Sequence, residues 1–209
     1  METEDWKNLQ EWKKGIQDNK ISIGKKFNYQ SKKFPDIFLL TKHGEDYLPK
    51  IFCIIKKCNP DIFIELGTFQ GGLTLAIHEE FPDLKIFSFD KGAFCNVDIW
   101  DKIFDKKVEI LLEDLLSEPN ETLLKILSEN LDKKVLLYCD NGNKAIEINT
   151  YSKYLKVGDM IGCHDWLVEV NPEDVREALE DLELFCPEEW KRSFFLSRFW
   201  IKKNDRRFI

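Results

Sequence analysis

Five carboxylates close five apolar runs in this chain: Glu65 in DIFIE, Asp90 in KIFSFD, Asp114 in VEILLED, Asp140 in VLLYCD and Asp165 in MIGCHD. The steps between them are 25, 24, 26 and 25 residues. A carboxylate at the end of a buried run can accept hydrogen bonds from hydroxyl or amino groups, hold a hard cation, or take up a proton. Other functional residue types stand beside these acids. Gly67, Gly71 and Gly72 follow Glu65, Lys144 stands four residues after Asp140, and His164 immediately precedes Asp165. Glycines in a turn let backbone approach a ligand closely. An imidazole is a base near neutral pH or a metal ligand. A lysine is a base only where burial lowers its pKa.

A step of about 25 residues is one strand plus one helix with short loops. The intervening segments read as helices. Leu73, Ala76, Ile77 and Glu80 follow the glycines at helical spacing, and Asn120 caps a helix carrying Leu123, Leu124 and Leu127. Lys144 to Leu155 forms another, and NPEDVREALEDLELF a further one, with Asn171 at its cap and Pro172 in its first turn. The signal between Asp90 and Val108 is weak. SRFWIKK reads as a last strand, and Leu48, Ile51, Phe52 and Ile55 mark a helix ahead of the sheet. Strands alternating with helices predict a Rossmann-like, doubly wound α/β fold, a mostly parallel sheet with helices on both faces. All five acids then line the carboxyl edge of the sheet, where ligands of such folds bind. Residues 1–45 are expected to form an arm or cap and 46–209 the ligand-binding domain, in one compact unit.

The turn discriminates between two nucleotide-derived cofactors. A dinucleotide fingerprint needs a second glycine two residues after the first. Here that position is Phe69, in Gly67-Thr68-Phe69-Gln70-Gly71. Glu65, two residues before the turn, would repel a pyrophosphate but suits a ligand bearing an ammonium and a sulfonium. Asp90 is placed for ribose hydroxyls and Asp114 for an adenine amino group. These features favour S-adenosylmethionine over NAD.

The segments NPDIFIELGTFQGGLTLAI, IFSFDKG, VEILLED and YCDNGNK…YLKVGDMIGCHDW resemble the class I S-adenosylmethionine-dependent methyltransferases. The likeness is closest to the branch of cephalosporin hydroxylase-like and macrocin-type O-methyltransferases, and it covers about residues 34–170. It implies a seven-stranded sheet with a reversed last hairpin. It implies that Glu65, Gly67 and Gly71, with the turn residues Thr68 and Phe69, meet the methionine part, Asp90 the ribose and Asp114 the adenine. Some relatives hold Mg²⁺ at the tips of the next two strands, which points to Asp140 and Asp165. Relatives usually place an acid or amide beside the second aspartate, whereas this chain has His164 and Trp166, a set better suited to Mn²⁺ or Fe²⁺.

Methyl transfer from a sulfonium requires alignment and removal of the acceptor's proton. Two routes are open: a divalent ion on Asp140, Asp165 and His164 that acidifies the acceptor hydroxyl, or His164 or Lys144 as the direct base. The expected activity is O-methylation of a small molecule or sugar. N-methylation, hydroxylase-like chemistry on the same fold, and a non-catalytic member that docks a partner are the alternatives. Trp166, Phe69 and Phe94 are candidate pocket walls or core, and His43 a loop residue.

Composition is that of a globular protein, 43% hydrophobic and 33% charged. No apolar run approaches the ~20 residues of a membrane span, and the charged N-terminus lacks a signal-peptide core. Six cysteines without metal-type spacing read as reduced thiols, so the expected location is the cytoplasm. Net charge −7 argues against general nucleic-acid binding. Local basic stretches remain: Lys20, Lys25, Lys26, Lys32 and Lys33, and the tail KRSFFLSRFWIKKNDRR. Each is either a solvated arm or a contact for an anionic substrate. The sequence leaves the oligomeric state open.

Overall fold

The structure is a computed structural model, and it describes residues 27–41, 47–92, 97–116, 119–185 and 197–204. Lys20, Lys25, Lys26, His43, Phe94, Cys95, Cys186 and much of the basic tail lie outside these residues.

The acid-terminated runs are strands: β3 (Ile62–Leu66), β4 (Lys85–Asp90), β5 (Val108–Leu112), β6 (Val135–Cys139) and β7 (Met160–Cys163). With β8 (Leu182–Leu184) and β9 (Arg198–Lys202) they form a seven-stranded sheet in the order β5-β4-β3-β6-β7-β9-β8. The first five pair in parallel, and β9 runs antiparallel to both β7 and β8. The chain builds outward from β3 to β5, then restarts on the other side of β3 with β6. That reversal makes a crevice at the tips of β3 and β6, where Gly67 and Asp140 begin their loops.

Helices cover both faces. Helices α1 (Leu48–Cys58), α2 (Gly72–Glu80) and α3 (Val97–Ile103) pack Ile51, Ile77 and Trp100 against Phe63 and Leu136. Helices α4 (Glu121–Glu129) and α5 (Lys144–Tyr151) bring Leu123, Leu127, Ile148 and Tyr151 onto Ile64 and Leu137. Alternate residues of β3 and β6 serve opposite cores, which is why these strands are apolar throughout. The Asn120 side chain accepts from Leu123 N–H, the cap read from sequence. Among the described residues Cys53, Cys58, Cys139 and Cys163 are free thiols. No helix of the described residues is long and apolar enough to cross a membrane.

Two local readings change. The weak segment after Asp90 contains α3. The segment NPEDVREALEDLELF is not one helix: a 3-10 turn (Pro172–Val175) leads to a one-turn helix α6 (Arg176–Leu179) and then to β8. Asn171 does cap, in a box with Asp174. Leu182, Glu183 and Leu184 become strand because β9 offers them an unpaired edge, and that long-range pairing outweighs local helix propensity.

Ahead of the sheet a hairpin, β1 (Phe27–Gln30) and β2 (Phe38–Thr41), lies on α2. Its anchor is the Glu79 carboxylate, which accepts from Tyr29 O–H (2.9 Å), Ser31 O–H (2.6 Å), Lys32 N–H (2.8 Å) and Lys33 N–H (3.3 Å). Burial raises the Glu79 pKa, but the Ser31 hydroxyl and the Lys32 amide outweigh it and the net shift is downward. A depressed carboxyl pKa stabilises the fold above the unfolded value and loses that stability as pH falls through the folded one. Glu79→Ala is expected to cost about 2 kcal/mol. Hydrogen exchange should show lost protection at Leu39 and Leu40 with β3 and β6 unaffected. Uniform loss across the sheet would contradict a local anchor.

Candidate active site

The turn after β3 is held by backbone. Gly67 and Thr68 N–H donate to Phe89 O (2.8 and 3.0 Å), and Phe69 N–H donates to Asp90 Oδ2 (2.8 Å). The other oxygen, Asp90 Oδ1, accepts from Gly92 N–H (2.9 Å). Asp90 thus ties the glycine turn to the loop after β4, and its half-buried carboxylate keeps lone pairs for a ligand. Phe69 takes φ 53°, a left-handed conformation that costs an aromatic residue about 1–2 kcal/mol. Each glycine here is demanded by protein packing. A Cβ on Gly67 would lie 2.5 Å from Asp140 O, one on Gly71 2.9 Å from Trp100 Nε1, and one on Gly72 2.8 Å from Leu39 O.

Glu65 sits deeper than the other acids. It is in register with Ser88 and Tyr138 inside the sheet and is 1% exposed. Its Oε2 accepts from the Thr74 and Ser88 hydroxyls, both at 2.5 Å, and Ser88 also bonds Thr68 Oγ1 (2.7 Å). Burial pushes its pKa up to about 8 against the pull of those hydroxyls. Through these hydroxyls Glu65 supports the turn from beneath. Asp114 is 44% exposed at its side chain, accepts from Leu116 N–H (2.9 Å) and pairs with Lys91 (2.9 Å). The Leu116 amide, then Lys91, hold its pKa below the ordinary value.

Across Gly67 lies the second cluster. His164 Nδ1 stands 3.4 Å from Asp140 Oδ1 and 3.1 Å from Asp165 Oδ2. One donor atom from each of the three residues falls within 4.8 Å of the others, a spacing able to hold one metal ion. Lys144 joins them, with Nζ 2.7 Å from Glu169, 3.3 Å from Asp165 and 3.8 Å from Asp140. Its side chain is 5% exposed because α5 turns Lys144, Glu147, Ile148 and Tyr151 to the sheet. The Tyr47 ring meets His164 edge-on at 5.4 Å, and its hydroxyl closes a buried triangle with Tyr138 and Ser197. Asp165 and Leu167 have φ 55° and 65°. With Phe69, they are three of the four non-glycine residues of positive φ among those described, so backbone strain gathers at this edge.

The electrostatics act on Lys144 and His164 alike. A basic role for Lys144 needs a lowered pKa. Burial pulls that way, but Asp140, Glu169 and Asp165 outweigh it and raise the pKa well above the ordinary value. Burial likewise lowers His164, and Asp140 and Asp165 reverse the shift, up to about 9. In this structure both groups therefore bind their protons more tightly than free side chains do. Glu169 and Glu147 were not among the sequence candidates. Glu147 carried a signal, since its spacing from Lys144, Ile148 and Tyr151 puts it on the core face. Glu169 carried none: it meets Lys144 only through the fold. Trp166 is 3% exposed against Trp200, so it is core rather than pocket wall.

No protein-family profile matches the chain, and no curated protein matches it. Solved structures match by fold. A CmcI structure with Mg and SAM (S-adenosylmethionine) is 15% identical at TM-score 0.56, over 83% of this chain and 76% of that one. A protein from Staphylococcus aureus put forward as a caffeoyl-CoA O-methyltransferase is 11% identical at TM-score 0.52, over 94% and 92%. Against human N-acetylserotonin methyltransferase with SAM, the chain spans 52% of that protein's length, at TM-score 0.49 and 12% identity, too loose a likeness to carry an argument. The chain therefore shares the Rossmann-like fold of methyltransferase structures.

Proposed function

We propose that the protein is an S-adenosylmethionine-dependent methyltransferase acting on a hydroxyl of a small molecule or sugar. The observation that carries this reading is adjacency: the Gly67 turn packs on the backbone of Asp140 and Asn141, so the cofactor turn and the acid–imidazole cluster share one crevice. The carboxylates of Asp90 and Asp114, placed at successive strand ends, suit ribose hydroxyls and an adenine amino group, and Phe69 stands where a dinucleotide turn needs its second glycine. A CmcI structure of the same fold with Mg and SAM is consistent with the pairing.

The cofactor supplies an electrophilic methyl group that needs little activation. The Gly67–Gly71 turn and Asp90 orient it. Asp140, His164 and Asp165 fit a divalent cation by donor type and spacing. Such an ion, Mg²⁺, Mn²⁺ or Fe²⁺, would supply Lewis acidity toward an acceptor hydroxyl. Lys144 holds Glu169 and Asp165, and Tyr47 fixes the imidazole plane. One observation favours a second reading. The charges of the cluster largely satisfy one another, as they would in a non-catalytic member that keeps the cofactor but docks a partner.

Thermal unfolding with S-adenosylhomocysteine, S-adenosylmethionine and NAD tests the first point. A ligand at 100 times its dissociation constant adds about 2.7 kcal/mol and raises the midpoint by several degrees. Stabilisation is expected with the two sulfur compounds and not NAD, and its loss in Asp90→Ala. Stabilisation by NAD alone, or by nothing, refutes the reading. Turnover across a panel of hydroxylated acceptors separates the enzyme from the non-catalytic form.

A further inference from the structure

We infer that Lys144 is a built-in counter-cation of the Asp140–His164–Asp165 cluster, competing with a divalent ion for its carboxylates and held partly away from them by Glu169. The inference rests on the metal-assisted form of the reading above and concerns how tightly the cluster takes its ion.

An ammonium on the core face of a helix needs partners, and Lys144 has four acceptors in reach. The shortest contacts are to groups outside the candidate ligand set: Glu169 Oε2 at 2.7 Å and Asn141 O at 3.2 Å. The candidate ligands Asp165 and Asp140 are farther, at 3.3 and 3.8 Å. The same positive charge therefore lies within 4 Å of two carboxylates that a metal would use, and repels an incoming cation there. Glu169 draws it outward, from a side chain 54% exposed. The charge count points the same way. Asp140, Asp165 and Glu169 bring three negative charges and Lys144 one positive, leaving two that a divalent ion neutralises when the imidazole is neutral.

Two substitutions then act in opposite directions. Lys144→Met keeps the stem and removes the charge, and should tighten the ion. Glu169→Gln removes the outward pull and leaves the ammonium to Asp165 and Asp140, so it should weaken the ion. A lysine that only braces the cluster would weaken binding in both variants, because either change loosens the brace.

Mn²⁺ is the probe, since a mixed carboxylate–imidazole set accepts it and its paramagnetism reports the free ion directly. Titrating the protein should give affinity about tenfold tighter than wild type in Lys144→Met and about threefold weaker in Glu169→Gln. Asp140→Asn should remove the binding and so locate the ion. Equal or weaker binding in Lys144→Met, no binding in any form, or binding indifferent to Asp140→Asn overturns the inference. If Lys144→Met does not fold, Lys144→Gln takes its place: tighter binding supports the inference and unchanged or weaker binding sinks it. Stabilisation of the wild type by S-adenosylhomocysteine is read separately. Its absence removes the methyltransferase reading without touching the Mn²⁺ result.

Discussion

Replacing Gly67 by alanine is expected to cost about 3–5 kcal/mol and to abolish binding of S-adenosylhomocysteine. Two independent penalties meet at this residue. Its φ of 110° lies where a Cβ is strained, which costs about 1–3 kcal/mol. The added methyl would stand 2.5 Å from Asp140 O, 2.7 Å from Asp140 C and 2.9 Å from Asn141 N. Those atoms are main chain at the tip of β6, and they cannot rotate aside as a side chain would. Relief requires β3 and β6 to part at their carboxyl ends, an overpacking cost of about 1–3 kcal/mol more. Gly142 is the control: nothing lies within 4 Å of its Cβ position, so Gly142→Ala should be neutral or stabilising by under about 1 kcal/mol. Denaturant unfolding of the two variants checks the contrast. Similar stabilities would mean that the close approach of the turn to β6 is wrong, and with it the adjacency on which the functional reading stands.

Glu147→Gln is expected to stabilise the ligand-free protein by a few kcal/mol at pH 9 and to change little at pH 4.5. Glu147 is 0% exposed on α5, and neither carboxylate oxygen has a hydrogen-bond partner among the described residues. Burial pushes its pKa up to about 8, and the Lys144 charge and the Asn141 backbone offset this only in part. The folded protein therefore binds this proton more tightly than the unfolded chain, whose value is near 4.5. Between those values the native state carries more protons, so stability falls as pH rises from about 4.5 to 8 and then levels. Each pKa unit is worth about 1.4 kcal/mol, which sets the upper scale of the effect. Glutamine copies the neutral acid in shape and removes the titration. Glu65, also raised to about 8, slopes the same way in both proteins, so the difference between variant and wild type isolates Glu147. Chemical denaturation from pH 4.5 to 9 measures it, and parallel curves would contradict an ionisation cost at this site.

A carboxyl so incompletely compensated is a departure from ordinary core construction, and it lies one helical turn beyond Lys144. A helix that turns both a lysine and a glutamate to the sheet gives up stability relative to an apolar face. A similar cost is visible in Phe69, Asp165 and Leu167, whose backbone strain the surrounding hydrogen bonds hold in place.

Much of the architecture was legible because it rests on local regularities. The acid spacing returned five parallel strands, the apolar faces returned α1, α2, α4 and α5, and the cap at Asn120 was readable from residue type. The failures lie where distant pairing outweighs local preference. Helix-like LEDLEL becomes β8 because β9 offers an edge, and the hairpin at residues 27–41 forms on Glu79, far along the chain. The acid ladder was also too even: Glu65 lies within β3, in register with Ser88, and is buried, while the other four acids reach the rim or the loops beyond it.

By itself the sequence determined the five parallel strands, the helices α1, α2, α4 and α5 and the position of the glycine turn, and it offered Asp90, Asp114, Asp140, His164 and Asp165 as candidates, because periodicity and residue type are properties of neighbours in the chain. Only the tertiary structure decided which of these groups face one another. It brought Glu169 to Lys144, set two carboxylates against one imidazole, placed Gly67 on Asp140, and raised the proton affinity of Lys144. The physical reason is that proton affinity and charge pairing depend on distance and burial, and both are set by contacts between strands far apart in sequence.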